Sequence, residues 1–130
     1  MRRILAYPPS MVGSDGLPHD RHPHPRLWGT FPRVLGHFSR DEGLFPLELA
    51  VHKMTGLSAK NFRLPDRGVV REGAFADLVV FDPDTIIDKA TFEEPERPSE
   101  GISAVFVNGV QAWGPDGQTG NRGGRFLTRH

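Results

Sequence analysis

The sequence contains no cysteine. Disulfides and thiolate metal ligands are excluded together, which leaves histidine, aspartate and glutamate as the available ligand types. There is also no run of about 18 apolar residues, the length a membrane-spanning helix needs. The apolar part of the opening MRRILAYPPS is too short for a secretory signal. Excess charge is missing as well, because 16 basic and 16 acidic side chains cancel, so nothing marks a partner among nucleic acids or anionic membranes. These absences lead to the expectation of a cytoplasmic protein with a small polar or amphiphilic partner. No internal repeat is visible, and 130 residues suit one domain that buries about two-thirds of its unfolded surface.

Glycine and proline are abundant, at 15 and 12 residues, against a usual joint share of about 12%. Loops are therefore expected, and they separate two unlike halves. Arg2–Ala6 reads as a turn of helix stopped by Pro8 and Pro9. Residues 11–16, MVGSDG, read as a brief strand ending at glycines, and residues 17–29, with Pro18, Pro23 and Pro25, as an irregular loop. Thr30 is placed to cap a helix that presents Val34, Leu35 and Phe38. Pro46 suits the first turn of the next helix, where Leu47, Ala50, Val51 and Met54 share a face and Gly56 closes it. Ser58 begins a short third helix through Phe62. The period then changes: residues 75–81, FADLVVF, form a compact apolar run, and AVFV-NG-VQAW, residues 104–113, is two strand-like pieces joined by a hairpin dipeptide. EEPERPSEG reads as a polar loop and GNRGGRFLTRH as a loosely docked tail.

The stretch MVGSDGLPHDRHPHPRLWGTF, residues 11–31, gathers Asp15 between two glycines, His19, His22 and His24, and then Arg26. Asp15 has two readings: a turn residue beside Gly16, or a carboxylate displayed at the carboxyl end of a strand, where a barrel of alternating strands and helices keeps its chemistry. Histidines spaced by two on a strand point the same way. Pro23 and Pro25 prevent a regular strand here, so His22 and His24 are not expected to ligate metal. His37 and His52 fall in helical patterns as surface or packed residues. Arg26 is a planar fork in a constrained loop, suited to bidentate capture of a carboxylate.

GSDG, HPHPRLWGTFPRVLGHFSR, AVHKMTG and the glycine-spaced ADLVVFD together resemble the carboxyl-terminal part of the D-aminoacylases, the N-acyl-D-amino-acid deacylases of the amidohydrolase superfamily. The likeness runs from about Arg2 to the end. It implies an α+β fragment: residues 1–65 as the last strand, substrate loop and helices of a TIM-type (β/α)8 barrel, and residues 66–130 as the C-terminal strands of a small β-domain with its tail. It also implies hydrolysis of the amide bond of N-acyl-D-amino acids to a carboxylate and a free D-amino acid, with zinc as cofactor of the full-length family. In that resemblance Asp15 is the general base, then acid, toward water and leaving amine. Arg26 binds the substrate α-carboxylate, with Gly13, Ser14 and Gly16 beside it, and the loop histidines are not metal ligands.

The family's metal-binding residues lie upstream of anything present in this chain, as do seven of the eight strands implied by the resemblance. The chain is thus expected to be a fragment or truncated product whose partner is the missing N-terminal barrel portion. Alone it is expected to be inactive and to bind no zinc, with helical stripes that have no large surface to cover. Two alternatives stay open: a free-standing interaction module that completes a separately encoded barrel, and another cyclic amidohydrolase of hydantoinase or dihydroorotase type.

Overall fold

A computed structural model describes residues 1–17 and 19–128. Pro18 of the expected loop and the last two positions of the expected tail lie outside the described residues. The order is four α-helices, one of them followed by a π-helix, then a four-stranded antiparallel sheet. Helix α1 spans Arg2–Ala6, and Tyr7 leaves it at φ −63°, ψ 120°, the extended conformation that a following proline imposes.

Helix α2, Arg26–Arg33, begins directly at the HPHPR motif with Pro25 as its N-cap at φ −52°, a torsion already set for helix. The irregular loop is therefore shorter than the sequence suggests. Thr30 does not cap; it lies inside α2, where its hydroxyl donates to the Arg26 carbonyl at 2.7 Å. Pro32 also lies inside α2 and has no N–H to give, so the helical ladder is interrupted. Its natural acceptor, the Trp28 carbonyl, takes the Ser99 hydroxyl at 3.4 Å instead. Beyond the proline the ladder widens into a π-helix, Val34–Asp41, a form that commonly follows such an interruption.

Pro46 precedes α3, Leu47–Met54, as its N-cap. Gly56 does not close this helix. Thr55, at φ −129° and ψ −93°, breaks it, and Gly56 opens α4, Gly56–Phe62. Gly56 contributes room, because a side chain there would sit 3.1 Å from the His52 ring and 3.3 Å from the Gly68 carbonyl.

The expected strand over residues 11–16 is absent. The segment runs irregularly with no pairing strand beside it, and an unpaired stretch interrupted by Gly13 has no ladder to satisfy its amides. All described strands lie later: β1 Leu78–Phe81, β2 Ile102–Val107, β3 Val110–Gly114 and a short β4 Gly117–Gln118, in the order β1-β2-β3-β4. Val79 faces Val105 and Val80 faces Ala104, while Val105 faces Trp113 on the other side. The β2–β3 turn is Asn108-Gly109, at φ 49° and 80°, the left-handed pair that a two-residue hairpin requires. Asn108 also donates to the Gly123 carbonyl at 2.6 Å, and the Arg125 guanidinium lies 4.4 Å from the Phe75 ring centroid. The tail is docked on the sheet more closely than expected.

The helical stripes are not left bare. Val34, Leu35, Phe45 and Ala50 close around Ile86, which the turn between β1 and β2 inserts at 1% exposure. Gly36 makes the approach possible, since a Cβ there would fall 2.2 Å from the Ile86 carbonyl oxygen. Arg40 completes it with one nitrogen donating to the carbonyls of Pro83, Asp84 and Ile86, the last at 2.8 Å. By contrast, Leu78, Val79 and Val80 of β1 are exposed. Among the described residues no helix is long and apolar enough to cross a membrane.

Candidate functional site

Two segments bring Asp15 and Arg26 together. Asp15 has φ 49°, a left-handed conformation that aspartate tolerates better than most residues, within an irregular segment between Gly13 and Gly16. Gly16 then lies against α2, where an added Cβ would be 2.5 Å from Leu27 Cδ1 and 2.9 Å from Leu27 Cα. Only glycine allows that contact, and its result is that Nη2 of Arg26 meets Oδ2 of Asp15 at 2.9 Å. The aspartate side chain is 83% exposed and the arginine 40%. Nε of Arg26 is buried without a hydrogen-bond partner among the described residues.

The other expected site residues flank this pair. Ser14 Oγ accepts from the Gly16 amide at 3.3 Å, closing the turn around Asp15. Around Gly13 the space is open, with no atom within 4 Å of where a Cβ would stand. His24 Nδ1 accepts from the Arg26 amide at 3.0 Å, and its ring meets Phe92 edge-on at 4.9 Å. That histidine thus orients the start of α2. His22 lies elsewhere, in an open cleft of about 590 Å³ lined by Arg21, Pro23, Glu94 and Arg97 among others, which neither Asp15 nor Arg26 lines. His37 pairs with Glu42 at 3.0 Å on the π-helix side. Among the described residues no three metal-ligating side chains converge.

Helix α2, which carries Arg26, is held from the second half of the chain. Arg33 pairs with Asp88 at 3.1 Å, Gly29 lies so close to Asp88 that a Cβ would touch its Cβ at 3.0 Å, and Ser99 caps the Trp28 carbonyl. Sequence reading does not single out Asp88 or Ser99, since nothing local to either position refers to residues 28–33.

It also passes over Lys53, the largest surprise in the packing. This side chain is fully buried, and its Nζ donates to Tyr7 O at 2.5 Å, Ser10 Oγ at 2.9 Å, Ser10 O at 3.1 Å and Pro8 O at 3.4 Å. It forms no ion pair among the described residues. Burial pushes its pKa below the ordinary lysine value. The available signal is its spacing, three residues after the fully buried Ala50 on α3, which puts a cation on the packed face.

Comparison with known proteins extends the geometry. The amidohydrolase family pattern matches residues 2–112. The chain is 61% identical over 129 residues to the D-aminoacylase of Alcaligenes xylosoxydans xylosoxydans, covering 99% of this chain and 27% of that protein. Among solved structures it superposes on a D-aminoacylase with a TM-score of 0.97 at 62% identity, over 98% of this chain and 27% of the other. With the N-acyl-D-glutamate deacylase of Bordetella bronchiseptica, solved with zinc and a phosphonate mimic of the tetrahedral intermediate, the TM-score is 0.86 at 52% identity, over 91% and 25%. The chain thus spans about a quarter of the length of these relatives, corresponding to their C-terminal portion.

Proposed function

This chain belongs to the amidohydrolase family, and from that premise we propose that it is the C-terminal portion of a zinc-dependent, cytoplasmic N-acyl-D-amino-acid deacylase, supplying the proton-transfer and carboxylate-binding groups. Residues 1–65 then form the end of a (β/α)8 barrel and residues 66–130 part of a β-domain. The observation that carries the reading is the Asp15–Arg26 pair at 2.9 Å, with both side chains reaching solvent. A planar guanidinium that is 40% exposed and already engages one carboxylate suits a carboxylate ligand. Asp15 beside it is exposed and ready to accept a proton from the attacking water and return it to the leaving amine. Gly13 leaves the approach open, while Ser14 and Gly16 shape the turn. The residues present do not fit a metal site, because no three ligating groups among those described come together. Zinc would therefore be held by residues outside this chain, and no step here is routed through it.

The test is a chimera in which this segment replaces the matching C-terminal portion of the 61%-identical D-aminoacylase. Zinc-loaded chimera is expected to deacylate N-acyl-D-amino acids. Asp15→Asn keeps shape but cannot accept the proton, so kcat should fall about 10²-fold or more with zinc retained. Near-normal turnover of that variant, or a folded chimera without activity, overturns the reading.

A second reading has one observation in its favour. The helices close their own core around Ile86 while β1 leaves Val79 and Val80 open, as befits a module that docks onto a separately made barrel. Mixing this chain with the remaining portion of the relative, expressed apart, tests it by restoration of turnover.

A further inference from the structure

We infer that Lys53 is a positioning residue for Asp15, fixing the upstream end of the segment that carries it; the inference rests on the proposed role of Asp15. Between Ser10 and Gly16 the chain makes no helix and no strand, so nothing regular holds Asp15 in place. It is instead pinned at both ends. Downstream, Gly16 is packed on Leu27. Upstream, the ammonium of Lys53 gathers the Tyr7–Ser10 turn, using its three short contacts on the Tyr7 carbonyl and on both oxygens of Ser10.

This turn is built to receive a cation. Pro8 and Pro9 have no N–H, so their stretch is rich in carbonyl oxygens and poor in donors. The Tyr7 carbonyl further accepts from the Ser10 amide at 3.0 Å and the Ser10 hydroxyl at 2.8 Å. An ammonium carries three donors and no acceptor, which matches that demand. Lys53 itself cannot shift easily, since it is buried next to the core residue Ala50 on α3, and its own carbonyl accepts from Ser58 at 3.0 Å. From Ser10 the chain reaches Val12, which packs against the core, and then the open turn at Asp15. A buried cation without a carboxylate partner is costly as a packing device alone. An anchor for a short irregular segment uses it well.

The two halves of the site should respond differently. Arg26 is held by α2 and its contacts to Asp88 and Ser99, so it stays when the Lys53 anchor goes, whereas Asp15 loses its upstream support. In the zinc-loaded chimera Lys53→Met should lower kcat by roughly 10²-fold, the effect of a displaced reacting group, with KM and zinc content retained and amide exchange of Gly13–Gly16 accelerated. Ser10→Ala removes one of the contacts and should produce a smaller loss of the same kind. A folded Lys53→Met variant that keeps kcat overturns the inference, as does unchanged exchange over Gly13–Gly16. If Lys53→Met does not fold, wild-type kcat in Ser10→Ala overturns it. A merely structural lysine would lower the melting temperature without separating kcat from KM. Asp15→Asn in the same background tells the two readings apart, because normal turnover there sinks the role of Asp15 whatever Lys53 does.

Discussion

Arg26 and Asp15 hold one another at 2.9 Å, so the proposed carboxylate-binding group is engaged by the proposed proton acceptor before any substrate arrives. An incoming carboxylate must share the exposed end of the fork with Asp15 or displace it, because the unpartnered Nε is buried. Because the aspartate is 83% exposed, the pair contributes at most about 1 kcal/mol to stability, and exchanging one carboxylate for another costs little. The geometry is thus suited to handing the arginine over to a ligand.

Replacing Arg26 by lysine keeps the charge and removes the fork. In the chimera Arg26→Lys should cost about 1.5–3 kcal/mol of transition-state binding, or roughly 10- to 150-fold in kcat/KM, for an N-acyl-D-amino acid. The matching N-acyl amino amide, which lacks the carboxylate, should lose much less. Equal losses for acid and amide would reduce Arg26 to a support for its loop.

Two glycines separate packing from site chemistry. Gly36→Ala drives a methyl group to 2.2 Å from the Ile86 carbonyl oxygen, and such overpacking typically costs about 1–3 kcal/mol or more. Gly13→Ala meets no atom within 4 Å, so stability should hold while a methyl group now stands in the approach to Asp15. Denaturant unfolding of both variants checks the contrast; equal midpoints would contradict the fit of Gly36 under Ile86.

Stability at high pH should report Lys53. Its folded-state pKa lies below the unfolded value because burial disfavours the charged form. The unfolded chain therefore binds more protons between the two values, and the contribution to stability grows as pH rises through that window. It is complete above the ordinary lysine pKa of 10.5 and lost as pH falls through the folded value. Comparing the pH dependence of unfolding for wild type and Lys53→Met isolates this component, and identical slopes would show that Lys53 titrates normally.

Patterns that one segment contains were legible in the sequence. The proline stop after Ala6, the Pro46 start and the Asn108-Gly109 hairpin each follow from torsions fixed by the residues themselves. Asp15 and Arg26 stood out locally, but local chemistry left Asp15 open as a turn residue and only the family resemblance gave both their roles; their contact depends on Gly16 meeting Leu27, which no periodicity announces. What was missed required a second segment. Ile86 fills the helical core from across the chain, and Lys53 is matched to carbonyls that Pro8 and Pro9 leave exposed. The strand expected over residues 11–16 failed for the same reason, since a strand exists only with a neighbour to pair with.

Pro32 sets a timetable for the site. That proline leaves the Trp28 carbonyl without its helical donor, and the Ser99 hydroxyl fills the place from 71 residues further along, while Asp88 pairs with Arg33 from 55 residues further along. A ribosome adding about 5–20 residues per second needs roughly 4–14 s to cover the longer gap. Throughout that interval Asp15 and Arg26 already exist as chain, yet the helix presenting the arginine lacks its braces. The segment with Asp15 and Arg26 is thus made before the residues that brace its helix.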